Sequence, residues 1–210
     1  MERKIAKDLL DIEAVFLRPN EPFTWASGIK SPIYCDNRLT LSFPKVRTDI
    51  EDGLAELIKR EYPECEAVFG TSTAGIAHAA IVADKMGLPM GYVRAKAKDH
   101  GRENLIEGKA VPGSNVVVIE DLISTAGSCV DVCENLRAAG CTVLGIASIF
   151  TYGMKKAEDR LKEHNLVNHS LSSLDTLVKV AAENDIIAES DIERVLKFRA
   201  NPSDESWMAK

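Results

Sequence analysis

Residues Val116-Val117-Val118-Ile119 form an unbroken apolar run that ends abruptly at Glu120-Asp121. A strand of this kind is buried on both faces, as in a parallel sheet covered by helices on either side. Its neighbours repeat the theme. Ala67–Phe69, ending at Gly70, and Met90–Val93 read as further short strands, and Cys141–Phe150 as another buried one. Between them lie helical stretches over 73–87 and 129–139, closed by Gly87 and Gly140. Strands alternating with helices imply an α/β fold built on a parallel sheet with right-handed crossovers. Upstream, Ile5, Leu9, Ile12 and Phe16 make one apolar stripe, which predicts a helix over 2–17. Phe23–Asp36 reads as a hairpin about Ser27-Gly28. Pro44 opens a second helix with Val46, Ile50, Leu54, Leu57 and Ile58 on one face. Further helices over 155–165, 174–183 and 190–199 should cover the sheet or cap an end. With 210 residues and no linker rich in Gly, Pro or Ser, the chain reads as one domain over 1–210. Its parts are a small N-terminal hood over about 1–40, a core over about 41–155 and a helical C-terminal segment over 156–210.

Lys+Arg 26 against Asp+Glu 32 gives a formal net charge of −6. Such a surface repels phosphate backbones, so no nucleic-acid partner is expected. No apolar run approaches the ~20 residues of a membrane span, and MERKIAKDLLDIEAVFLR is charged throughout, without the apolar core of a signal peptide. A cytoplasmic protein with no membrane partner is the expectation. The five cysteines, Cys35, Cys65, Cys129, Cys133 and Cys141, form no CxxC pair and have no histidine at zinc spacing. Cys129 and Cys133, four apart on a helix, read as small buried hydrophobes.

The chemistry concentrates in VVVIEDLISTAGS, residues 116–128. A buried strand ends at two acids, a loop of small and hydroxylated residues follows, and a helix begins. In open α/β sheets ligands sit at the carboxyl ends of strands. Ser124, Thr125, Ala126, Gly127 and Ser128 at a helix start offer amides and hydroxyls to an anion. The Glu120 and Asp121 carboxylates accept from sugar hydroxyls, so the segment describes a ribose-phosphate site. A plain capped helix would account for one Ser or Thr, but not for two consecutive acids closing an apolar strand. The acids could also act as a metal pair, since carboxylates bind Mg²⁺, often through water. GxxxxGK[ST] is absent, because Gly70-Thr-Ser-Thr-Ala-Gly75 continues Ile76-Ala77. Between Arg94 and Gly113 lies a long polar stretch with six basic or imidazole side chains. Its length suits a mobile functional loop. Read alone, Arg94, Lys96, Lys98, His100 and Arg102 could equally be a solvated charge run balanced by Asp99 and Glu103.

Val116–Ser128 resembles the phosphoribosyl-pyrophosphate (PRPP) motif of type I phosphoribosyltransferases. Two more stretches narrow the resemblance: YVRAKAKDHGRENLIEG (92–108) is similar to the catalytic loop of the orotate phosphoribosyltransferases, and FTWASGIKSPIYCDNR (23–38) to their N-terminal hood. The likeness covers roughly residues 20–155. It implies a parallel-sheet type I phosphoribosyltransferase core flanked by helices under a small hood. It also implies transfer of the phosphoribosyl group from PRPP to orotate, giving orotidine 5′-monophosphate and pyrophosphate, in pyrimidine biosynthesis. Mg²⁺ is the implied cofactor, held mainly through PRPP and water, with no metal site made by the protein alone. The implied catalytic residues are Lys98, His100 and Asp121. PRPP binding would fall to Lys30, Arg94, Lys98, His100, Glu120, Asp121, Leu122, Ile123 and the Ser124–Ser128 loop. Ser124 would also contact orotate, Tyr34 would pack over the base, and Thr71–Gly75 would form the pyrophosphate loop. Arg94, Lys98 and His100 would reach PRPP from the neighbouring subunit, which implies a homodimer with shared active sites. Some members carry an arginine after the last core strand that grips the orotate carboxylate; here the region reads Phe150-Thr151-Tyr152-Gly153. Backbone groups or a hood residue would then take that role. Another PRPP-dependent base transferase, or a PRPP-sensing regulatory protein, would share the core but not the hood and basic loop together.

Overall fold

The computed structural model describes residues 1–25, 28–94 and 105–209. Helix α1 (Glu2–Asp11) buries Ile5, Ala6, Leu9 and Leu10. The helix expected over 2–17 is therefore shorter than its apolar stripe. The chain passes through Glu13 at φ 57°, and Val15–Leu17 forms β1, antiparallel to β4 (Ile33–Cys35), with Phe16 opposite Tyr34. A short apolar segment fits either period, and here pairing with β4 decides. β2 (Phe23–Thr24) and β3 (Lys30–Ser31) make the expected hairpin, whereas its continuation, β4, pairs with β1 instead. Of the turn pair, Ser27 lies outside the described residues. A 3₁₀ turn over Asn37–Ser42 leads into α2 (Pro44–Glu61), which carries proline in its first turn.

The main sheet contains β5 (Ala67–Thr71), β6 (Met90–Val93), β7 (Ile106–Glu107), β8 (Asn115–Ile123), β9 (Thr142–Thr151) and β10 (Asn168–Ser173). Its order is β10-β9-β8-β5-β6-β7. All pairings are parallel except that of β7, which folds back antiparallel on β6. Two strands depart from the sequence expectation. β7 occupies part of the stretch read as loop, being only two residues long. β10 stands in the segment read as helical; NHSLSS is an edge strand that buries little beyond Leu171 and Ser172.

Helices α3 (Ala74–Met86), α4 (Gly127–Ala138), α5 (Lys155–Glu163), α6 (Leu174–Glu183) and α7 (Glu189–Ala200) complete the layers. α3 closes on Gly87 at φ +66°. The strand pleat divides the core in two. Val68, Val117, Ile119 and Ala147 join the cluster that holds residues of α1, α2 and α3. Ala67, Phe69, Val116, Val118 and Ile146 join the one built on Cys129, Cys133 and Leu136 of α4. Alternate residues of one strand thus serve opposite layers, which is why 116–119 has no polar position. Cys129 is pushed up to about 12 by burial, so it packs as a hydrophobe. No helix among the described residues is long and apolar enough to cross a membrane.

The C-terminal turn over Glu205–Met208 buries Trp207. Its indole packs edge-on to Phe198 at 5.7 Å, Phe198 meets Trp25 at 5.5 Å, and Trp25 stacks on Tyr152 at 6.4 Å. Arg194 fastens this tail by donating to the Trp207 carbonyl at 3.0 Å and to Asp191 Oδ1 at 2.6 Å. The tail therefore braces the hood against the end of β9.

Candidate functional site

The sheet order places a switch point between β5 and β8. From β5 the chain proceeds through α3 to β6 on one side, while β8 lies on the other and leads outward to β9 and β10. Loops leaving β5 and β8 diverge to opposite layers and open a crevice between them. Each loop ends at a helix with no side-chain cap: Thr73 precedes α3 and Ala126 precedes α4. The first-turn amides of both helices are thus left for an anion. Ala126 sits in the left-handed region at φ 60°, which curls successive N–H groups into a concave nest. Gly75 lets the two loops approach, because a Cβ there would stand 2.4 Å from the Ile119 carbonyl and 2.6 Å from Thr71 Oγ1.

β8 does not end at its two acids, as the sequence suggests, but runs on through Leu122 and Ile123. It pairs with β9 as far as Ile123↔Thr151, so Glu120, Asp121, Leu122 and Ile123 are strand residues and the loop starts at Ser124. Ladder hydrogen bonds fix the acids more firmly than a loop would. Glu120 is 7% exposed. Its Oε1 accepts from Thr71 Oγ1 at 2.6 Å and from the Asp121 N–H at 3.0 Å. Burial, and after it the neighbouring Asp121 carboxylate, push Glu120 up to about 8. The half-buried Asp121 is tied to the hood through its carbonyl, which accepts from Asn37 Nδ2 at 2.7 Å. In the loop, Ser124 and Thr125 are half-buried, Ala126 is buried, and Ser128 in the first turn of α4 is exposed.

Arg94 follows β6, and its N–H donates to the Leu105 carbonyl at 2.9 Å. Its Nη1 lies 3.7 Å from Glu107 Oε1 and has no hydrogen-bond partner among the described residues. Ser72 Oγ donates to the Val93 carbonyl at 2.5 Å, joining the first loop to the end of β6. Thr71, Ser72, Arg94 and Ser128 help line a cavity of about 390 Å³. Lys96, Lys98, His100 and Arg102 lie outside the described residues. Lys30 sits in the hood hairpin, and its Nζ donates to Thr24 Oγ1 at 2.6 Å. Tyr34 is exposed and tilts against Phe23, with ring centroids 5.6 Å apart. Tyr152 is buried and stacked on Trp25. Its phenol is raised well above its usual range by burial, and further by Cys35, Tyr34 and Asp121.

Thr71 is expected in the pyrophosphate loop, but nothing in the sequence signals its bond to Glu120, and two further side chains at this site are not foreseen there. Asn37, the penultimate residue of the hood stretch, links hood to acids. Arg160, embedded in the charged helix KKAEDRLKE, donates from Nη1 to the Thr125 carbonyl at 3.2 Å. Only Asn37, as a polar residue within a diagnostic stretch, had a signal in the sequence.

A family model described as "Phosphoribosyl transferase domain" matches residues 46–179. The chain is 57% identical over 208 residues to an orotate phosphoribosyltransferase of Bacillus anthracis, covering 99% of each chain. It is 56% identical over 210 residues to that of Bacillus subtilis strain 168, covering 100% of this chain and 97% of the other. Among solved structures, the orotate phosphoribosyltransferase of Aeropyrum pernix superposes with a TM-score of 0.74 at 29% identity, covering 86% of this chain and 98% of that one. Full-length identity at this level, on a crevice with paired amide-bearing loops about two carboxyl groups, means that the chain belongs to the orotate phosphoribosyltransferase family.

Proposed function

We propose that the crevice between β5 and β8 transfers the 5-phosphoribosyl group of PRPP to orotate, giving orotidine 5′-monophosphate and pyrophosphate in pyrimidine biosynthesis. The observation that carries this reading is the pair of uncapped helix starts flanking Glu120 and Asp121. A molecule with a phosphate at one end, vicinal hydroxyls in the middle and a pyrophosphate at the other fits that order. The loop Ser124–Ser128 takes the 5′-phosphate, the acids take the ribose hydroxyls, and Thr71–Gly75 takes the pyrophosphate. A ring nitrogen of orotate gives up its proton to water and forms the new bond to C1′ as the C1′–oxygen bond to pyrophosphate breaks, and the bonding electrons leave with the pyrophosphate. Asp121 stabilises positive charge growing on the ribose. Ser124 contacts orotate. Lys98 and His100 follow the negative charge of the leaving group, and Arg94 contributes to the same end.

Mg²⁺ fits this donor set, because Asp121, ribose and phosphate oxygens and water are all hard oxygen ligands. When bound it neutralises pyrophosphate charge, and it is held mainly through PRPP and water. The hood, sheet and C-terminal helices act as one domain. The protein works in the cytoplasm as a homodimer that binds no nucleic acid, with Lys98 and His100 completing the partner's site. Mixing Lys98→Ala with Asp121→Asn subunits should then restore activity above either parent, since one hybrid site is intact; no recovery in verified heterodimers refutes shared sites. The function itself is tested by incubating the protein with PRPP, Mg²⁺ and orotate and following orotate absorbance, with uracil, hypoxanthine and xanthine in parallel. Loss of orotate alone is expected. Turnover of another base overturns the substrate, and PRPP binding without turnover points to a regulatory protein.

A further inference from the structure

We propose that Arg160 is a positioning residue for the 5′-phosphate of PRPP, acting through the Thr125–Ala126 peptide; this rests on the function proposed above. Its guanidinium lies against the loop backbone. Nη1 donates to the Thr125 carbonyl at 3.2 Å, and a Cβ added at Gly127 would stand 2.8 Å from the same nitrogen. Glycine at 127 is what lets the guanidinium come this close. The peptide unit is planar and trans, so a carbonyl aimed at Arg160 sends the Ala126 N–H the opposite way. On the phosphate reading above, that N–H belongs to the nest at the left-handed Ala126 and the uncapped start of α4. Arg160 thus stands behind the loop, holds its one critical peptide in the phosphate-binding orientation and adds a permanent positive charge close by.

Two further observations favour this over an ordinary surface arginine. Residues 124–128 contain no Lys or Arg of their own, so a phosphate bound there would otherwise meet dipoles alone. Arg160 also makes no ion pair with a carboxylate among the described residues, unlike Arg38, Arg137 and Arg194, so its charge is not cancelled locally. The half-buried side chain lies in a setting where screening by water is reduced.

The test compares wild type with Arg160→Gln and Arg160→Lys in full-length protein. PRPP KM should rise about tenfold in Arg160→Gln, on the scale of one charge-assisted hydrogen bond. Arg160→Lys, which keeps the charge but not the planar fork, should fall between. Competitive inhibition by inorganic phosphate should weaken in parallel, while orotate KM and kcat stay within about twofold, as expected when uniform binding is lost. Melting curves check the fold; if Arg160→Gln melts early, the Lys variant and phosphate inhibition carry the comparison. Unchanged PRPP KM and phosphate inhibition in folded variants overturn the role of Arg160 while leaving the proposed function intact. A wild type that binds PRPP but does not consume orotate overturns the function, and weaker phosphate binding by Arg160→Gln would still support the positioning role.

Discussion

Thr71→Val should move the pH dependence of catalysis without touching the protein's shape. Thr71 Oγ1 and Glu120 Oε1 are 2.6 Å apart, and both residues are buried. Burial and Asp121 hold Glu120 near 8, and the Thr71 hydroxyl works against them by favouring the charged form. Ribose hydroxyls donate best to an ionised carboxylate, so kcat/KM for PRPP should climb as pH rises through the Glu120 value of the free protein. A hydrogen bond to a charged group contributes roughly 1.5–3 kcal/mol, and one pH unit corresponds to about 1.36 kcal/mol. Removing the hydroxyl should therefore shift this ascending limb upward by about one to two units. The loss is then about tenfold or more below the limb and vanishes above it. Thr71→Ser keeps a donor and should leave the limb in place. The assay is orotate consumption at limiting PRPP from pH 6 to 10. A limb that stays put in Thr71→Val, or moves equally in Thr71→Ser, refutes the reasoning.

Glu120 also links folding to pH. Its folded value, about 8, is raised above the ordinary 4.5 of a glutamate, so between about 4.5 and 8 the native state holds more protons than the unfolded chain. Its contribution is complete at low pH and is lost as pH rises through the folded value. Glu120→Gln should thus gain in melting temperature relative to wild type from pH 5 to pH 9, and a constant gap would exclude the linkage. His78 Nδ1 lies 2.6 Å from Glu51 Oε1, and both side chains are fully buried. Removing one partner, as in His78→Leu, should cost about 3–5 kcal/mol in urea unfolding, and the double change Glu51→Leu/His78→Leu markedly less than two such losses; additive costs would contradict a coupled pair. Trp207→Ala should destabilise by about 3–5 kcal/mol and expose the hood to limited proteolysis near Trp25, and a hood equally resistant in the variant would show that the tail does not brace it.

What could be read from the chain was the backbone that each segment makes by itself. The run 116–119 announces a doubly buried strand, Pro44 and Gly87 mark helix ends, and Ser124–Ser128 is legible because a phosphate loop is a contiguous stretch of small residues. Thr71 and Arg160 were not legible, for one shared reason. Thr71 meets Glu120 across 49 residues of chain, only because Gly70 and Ile119 are register partners in neighbouring strands. Arg160 meets Thr125 across 35 residues, only because α5 packs beside α4. Local periodicity carries nothing about either neighbour: Thr71 reads as one more hydroxyl in a loop, and Arg160 as one more charge on a wet helix face. Strand ends misled for the same reason. The sequence ends β8 at its two acids, yet β9 supplies ladder partners as far as Thr151. The acids consequently sit inside a rigid strand rather than at its end. Sheet order thus fixes the positions of Glu120 and Asp121, and side chains distant in sequence tune them. This is why substitutions at Thr71 and Arg160 should separate their electrostatics from their position.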